Sequence, residues 1–269
     1  MKIDVISSFV NGEKADYFRH NLLSLSSGDN LFNFKCIVDQ FVDTEWNVII
    51  DKQANDYANG LNASHKYIES EYFIIVHTDI ALLKKHWDVE IINDLDQFTH
   101  AIGCNCCFNA NSTYFTEIFV IGKSEILLKI LPDWNPVYHL LALKTNGKRV
   151  IQRKEIKFAD ESDYYGIPVG GTFKQDVSTR VALKYKNYGY KWKILRSGES
   201  QLPYDRSTLD KYLSKKFKIH QQNYIRDFTY NSNLFLSHFG KSNRYGVNSP
   251  VFKVWNDAVS NYIKLINEK

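Results

Sequence analysis

The sequence predicts an α/β fold in which a mixed, mainly parallel sheet is flanked by helices, with a helical extension at the C-terminus. Three observations carry that expectation. Short β-branched and aromatic runs alternate with stretches of helical periodicity through the N-terminal part of the chain. The run Tyr72-Phe-Ile-Ile-Val76 has no charged member, the mark of a strand covered on both faces. At the far end, Phe252, Trp255, Val259, Tyr262 and Ile266 share one helical face, behind Ser249 as a cap and Pro250 at the first helical position.

Taken in order, Lys2 to Phe9 reads as the first strand. Lys14 to Ser26 follows as a helix with Ala15, Phe18, Leu22 and Leu25 in a stripe, closed by the turn residues Ser27-Gly28-Asp29-Asn30. Phe34 to Val38 is a second strand followed by Asp39, and Asn47 to Ile50 a third. Asn55 to Ile68 is helix-like and leads into the buried strand, which ends in His77-Thr78-Asp79. Leu82 to Leu95 then places Leu83, Trp87, Ile91 and Leu95 on one helical face. Strands are expected at His100 to Cys107 and Tyr114 to Gly122, a helix at Glu125 to Leu131, and a break at Pro132-Asp-Trp-Asn-Pro136. The stretch from Val137 to Thr145 is expected to be helical. Val181 to Tyr188 reads as an amphipathic helix with Gly189 at its C-cap. There is no internal repeat, low-complexity linker or clear domain boundary.

The chain of 269 residues has ample apolar content for a core and no run approaching the length of a membrane span. Its N-terminus has no signal-peptide pattern, so a soluble, cytoplasmic protein is expected. Of the four cysteines, Cys104, Cys106 and Cys107 lie close together. They would suggest zinc, but there is no second ligand pair at suitable spacing, and buried reduced thiols on a strand are the better reading. Net charge is +4, unevenly spread: Lys144 to His220 holds 18 Lys and Arg against 8 Asp and Glu, leaving 16 against 22 elsewhere. That basic half suits an anionic acceptor such as nucleic acid, a phosphate-rich glycan or a lipid-linked diphosphate, although a solvated lysine surface has the same composition.

Chemistry concentrates at three places. Residues i and i+2 of a strand point the same way, so His77 and Asp79 project together from the carboxyl end of a buried strand, where open α/β sheets bind ligands. An imidazole and a carboxylate there can hold a divalent metal, and the metal a diphosphate. Asp176 stands before the helix from Val181, where the dipole favours its ionised form and where a helix cap would also place an aspartate. Near the end, Leu234-Phe-Leu-Ser-His238-Phe-Gly-Lys241-Ser-Asn-Arg244 sets a histidine beside two cations.

The order of these segments resembles the nucleotide-sugar glycosyltransferases of GT-A fold, especially family-two-like members. Those enzymes carry a Gly/Ala-rich helix with an Asn (here Asn62), an apolar strand, an Asp-x-Asp motif and a helix with an early Trp. Here the motif reads His77-Thr78-Asp79: the final Asp is kept and the first is His. The resemblance implies a Rossmann-like GT-A domain over residues 1–248, its nucleotide-binding half about 1–98 and its acceptor half about 99–248, with residues 249–269 a helix packed on the body. It implies a metal-dependent, inverting transfer of a hexose or pentose from a nucleoside-diphosphate sugar, with Mn²⁺ or Mg²⁺ on Asp79, His77 and His238. Asp39 would read the nucleobase, or be a plain loop acid. Asn62, Lys241 and Arg244 would bind substrate, the two cations meeting the diphosphate. Asp176, unless it is only a helix cap, would activate the acceptor hydroxyl as general base, with Asp163 or Glu161 as alternatives in that role. The acceptor would be a glycan or lipid-linked glycan. Alternatives are a viral enzyme glycosylating modified DNA bases, a nucleotidyltransferase, and a non-catalytic binding module of the same fold.

Overall fold

In a computed structural model, residues 1–9, 11–105, 113–134, 138–145, 148–153, 167–169, 172–174, 178–205, 207, 209, 225–240 and 246–268 are described. The fold is mixed α/β, as the alternation of elements predicts. Strands β1 (Lys2–Ser7), β2 (Leu31–Val38), β3 (Asn47–Ile50) and β4 (Tyr72–Val76) are parallel, with β1 between β2 and β4. Strand β7 (Phe115–Lys123) runs antiparallel between β4 and β6 (Ala101–Asn105). Beyond β6 follow β12 (Trp192–Glu199), β13 (Ile225–Tyr230), β14 (Asn233–Phe239) and β5 (Ile80–Leu82), so the described sheet reads β3-β2-β1-β4-β7-β6-β12-β13-β14-β5.

One consequence of that order matters most. Strand β4 is central and β5 is the last in line, yet only His77, Thr78 and Asp79 join them. So short a link reaches no more than about 14 Å. The sheet must therefore curl until its far edge returns to β4, and the three linking residues sit on the seam.

Alternation along β4 sorts the core. Tyr72, Ile74 and Val76 face one side with α1 (Gly12–Leu25) and α3 (Trp87–Asp94); Phe73 and Ile75 face the other with α2 (Tyr57–Ser64), α4 (Ser124–Ile130) and α5 (Thr179–Asn187). Helix α2 comes close because its residue 60 is glycine: a Cβ there would run into the Ser8 side chain and lie 2.8 Å from the Ile37 carbonyl oxygen. The last helix, α6 (Pro250–Asn267), is capped by Ser249 Oγ accepting from Phe252 N at 3.2 Å. It seats Trp255 on Phe239 and Tyr17 and donates from Trp255 Nε1 to Ser237 Oγ at 3.0 Å. Cys36 and Cys104 are buried on β2 and β6 outside any disulfide, and burial pushes the Cys36 thiol up to about 12. Cys106 and Cys107 fall outside the described residues. Among the described residues no helix is long and apolar enough to cross a membrane.

Two expectations are corrected. The helix expected from Leu82 starts at Trp87, because Ile80 to Leu82 pair with His238 to Leu236 instead, and His86 takes a left-handed φ of 51° that no continuing helix allows. The stretch expected as a helix from Val137 is strand β8 (Tyr138–Thr145), paired with β9 (Lys148–Arg153) and β11 (Thr172–Lys174) in a second small sheet with β10 (Ile167–Val169). Thr145 stands opposite Lys148, and the Asn146-Gly147 between them in sequence is the common two-residue hairpin signal. A run with four apolar members in a row (Leu140 to Leu143) has no 3.6-residue period to defend a helix.

Candidate active site

The seam brings side chains from five elements together. His77 and Asp79 leave the carboxyl end of β4, directly beside β1, where Ser7 Oγ donates to the Val76 carbonyl at 2.6 Å. His238 arrives on β14, whose pairing sets it opposite Ile80 while Phe239 N donates to the Asp79 carbonyl at 2.8 Å. Asp79 Oδ1 then lies 3.4 Å from His238 Nε2 and 3.7 Å from His77 Nδ1. One ligand atom from each residue falls within 4.8 Å of the other two, and this trio is a candidate metal centre. The spacing is slightly long for hydrogen bonds and suits three ligands around a shared ion. Two imidazoles and one carboxylate favour Mn²⁺ over Mg²⁺, which prefers oxygen alone.

Glu117 and Tyr57 complete the surroundings of His77. Glu117, buried on β7, presents Oε1 3.7 Å from His77 Nε2, and Tyr57 of α2 meets the imidazole edge-on at 4.9 Å. Burial disfavours the imidazolium, but the carboxylates of Glu117 and Asp79 outweigh it and hold the His77 pKa above its ordinary value. A carboxylate behind a histidine also fixes which ring nitrogen carries the proton. Access is from the His77 side: its side chain is 28 % exposed, against 13 % for Asp79 and 8 % for His238.

Lys14 is buried within range of the Asp79 charge. It lies in the first turn of α1, its N–H capped by Asn11 Oδ1 at 3.0 Å, and is 3 % exposed. Burial lowers its pKa and the charge of Asp79 opposes that shift.

Asp39 stands at the carboxyl end of β2 with its carbonyl accepting from Lys52 Nζ at 3.0 Å. Two strand spacings separate it from β4, about 10 Å, the scale of a nucleoside. Asn62 is placed on α2 with Oδ1 accepting from Trp134 N at 2.8 Å, a bond that anchors the chain after α4. Asp163, Glu161, Asp176, Lys241 and Arg244 fall outside the described residues. Sequence reasoning missed Glu117 and Lys14. A signal existed for the first, since a lone acid inside Phe115-Thr-Glu-Ile-Phe119 breaks an apolar strand. For the second there was none, because a lysine at a helix start looks like surface.

No family model matches the chain, and no curated sequence matches it. Solved structures with some similarity include mannosyltransferase PcManGT from Pyrobaculum calidifontis in complex with GDP-Man and Mn²⁺, at 12% identity over 48% of this chain and 46% of that one, TM-score 0.39. Others are the glycosyltransferase GlyE of Streptococcus pneumoniae TIGR4 (8% identity, 48% and 35% covered, TM-score 0.35) and an active-site mutant of LgtC (10%, 48% and 59%, TM-score 0.34). The similarity spans about half of this chain and 35% to 59% of those proteins. The functional reading rests on the side chains at the seam.

Proposed function

We propose that the protein is a metal-dependent glycosyltransferase that moves a sugar from a nucleoside-diphosphate donor to an acceptor hydroxyl. The observation that carries the reading is the His77, Asp79 and His238 cluster at the carboxyl end of β4, open to solvent at His77. In this reading the three side chains hold a divalent ion, Mn²⁺ by preference, and Glu117 orients His77. Bound there, the ion supplies Lewis-acid stabilisation to a departing diphosphate. Asp39 meets the nucleobase at the next strand ends. The acceptor oxygen bonds to the anomeric carbon as the bond from that carbon to the diphosphate oxygen breaks. The bonding pair leaves with the nucleoside diphosphate, Lys241 and Arg244 meet the leaving charge, and the acceptor proton passes to Asp176. Attack from the opposite face inverts the anomeric centre. A glycan or lipid-linked glycan is the acceptor class proposed, the basic stretch from Lys144 to His220 suiting an anionic one.

The test is a thermal-shift screen of nucleoside diphosphates and their sugars, each with and without Mn²⁺. A selective ligand raises Tm by mass action. The expected result is a Mn²⁺-dependent shift for one nucleotide class that is absent in Asp79→Ala. No shift with any nucleotide would overturn the reading.

A further inference from the structure

A buried lysine beside the candidate metal centre calls for an explanation, because it breaks two local rules at once. A cation in the first turn of a helix opposes the helix dipole, and burial strips an ammonium of its hydration. Lys14 does both, at 3 % exposure. Such violations collect where function needs them.

Its position follows from how α1 lies on β5. Asn21 Nδ2 donates to the Leu82 carbonyl at 3.1 Å, and Leu82 N donates back to Asn21 Oδ1 at 2.6 Å. One helical turn on, His86 N donates to the Leu25 carbonyl at 2.7 Å. Helix and chain therefore run in the same direction. Going back from Asn21 to Lys14 is two turns on the same face, about 10.5 Å. Going back from Leu82 to Asp79 is three extended residues, about 10 Å. The two arrive together, so the packing that seats α1 on β5 also brings Lys14 within range of the Asp79 charge.

We propose that Lys14 is a diphosphate-binding residue, a buried cation near Asp79 that contacts the phosphate oxygens of the donor. This rests on the donor reading above. An ion held by Asp79 would be repelled by the Lys14 ammonium, and a diphosphate bound beside both would relieve that repulsion. Glycosyl transfer leaves the diphosphate with more negative charge than it brought, and a buried ammonium is unscreened by water at that moment.

The opposed effects on metal and anion make the test. Wild type and Lys14→Met are titrated calorimetrically, first with Mn²⁺ alone and then with inorganic pyrophosphate at saturating Mn²⁺. Removing the ammonium should tighten Mn²⁺ and weaken pyrophosphate by about tenfold or more. A lysine that serves only as a structural partner of Asp79 would leave pyrophosphate affinity at saturating Mn²⁺ unchanged, and that result overturns the proposal. A companion measurement needs only folded wild type: the Lys14 ammonium resonance in ¹⁵N-lysine-labelled protein, assigned by its loss in Lys14→Arg, should move on pyrophosphate addition, and a stationary signal also overturns it. Sugar nucleotides that bind equally to Lys14→Met and wild type would remove Lys14 and leave the transferase. Lys14-dependent pyrophosphate binding that no sugar nucleotide competes with would uphold Lys14 and remove the donor reading.

Discussion

Each end of the parallel strands sets a carboxylate in the field of a lysine, and the surroundings of the two carboxylates differ. At the amino end, Asp4 of β1 is fully buried and tightly held. It accepts from Glu69 N at 2.7 Å, Ser70 N at 2.9 Å and Asn33 Nδ2 at 3.2 Å, with Lys35 Nζ 3.2 Å away. Lys35 in turn donates to the Tyr67 carbonyl and to Glu69. At the carboxyl end, Asp79 meets its two histidines at 3.4 and 3.7 Å, and the ring of His77 opens to solvent. The first carboxylate is surrounded at hydrogen-bond distance by backbone donors that cannot leave. The second is met at longer distance by two imidazoles, which are candidate ligands. Contact distance, partner type and exposure separate the structural lock from the candidate site.

The contrast breaks most readily at the lock. Asp4→Ala leaves the Glu69 and Ser70 N–H groups without their acceptor and takes one of two carboxylates from Lys35, and should cost about 3 kcal/mol in urea unfolding. A loss below about 1 kcal/mol would mean that Asp4 is no lock at all. At the other end, Glu117→Gln keeps the shape of the side chain and removes the charge behind His77. It should weaken Mn²⁺ by about 10–100-fold, read by calorimetry, with the fold retained.

The smallest effect is in pH dependence, where the two ends have opposite signs. Burial would raise the Asp4 pKa, but the Glu69 and Ser70 N–H groups and Lys35 pull it below its ordinary value of 3.8. Its stabilisation is present above 3.8 and lost as pH falls through the lower folded value. The His77 pKa is held above 6.5, so its contribution to the metal-free protein is present below 6.5 and lost as pH rises through the higher folded value. Mn²⁺ needs the neutral imidazole and should reverse that slope, so that Tm with Mn²⁺ rises with pH where Tm without it falls. Parallel slopes with and without Mn²⁺ would take His77 out of the metal centre.

Much of this was legible in the sequence wherever period and chemistry coincided. His77 and Asp79 stood out because a two-residue spacing at the end of an apolar strand fixes direction without any tertiary knowledge. The helix at Val181 and its Gly189 stop, at φ +76°, were legible for the same local reason. Strand β5 was not, since Ile80-Ala81-Leu82 is as compatible with the start of a helix and becomes a strand only through β14. Lys14 was illegible because its meaning comes from a helix register on β5, set by Asn21, which nothing in either local sequence announces.

The pairing of β14 with β5 also sets an order of events in folding. His238 and Asp79 are far apart in the chain and become neighbours only when β5 pairs with β14. Contacts across so long a loop form after local ones, because closing the loop costs entropy before the contact returns any. On a ribosome the parallel strands up to β4 can take shape while His238 is still untranslated. A nascent chain would therefore carry the Asp4 lock well before its candidate centre could capture an ion, which spares a half-made protein from trapping metal at an unfinished site.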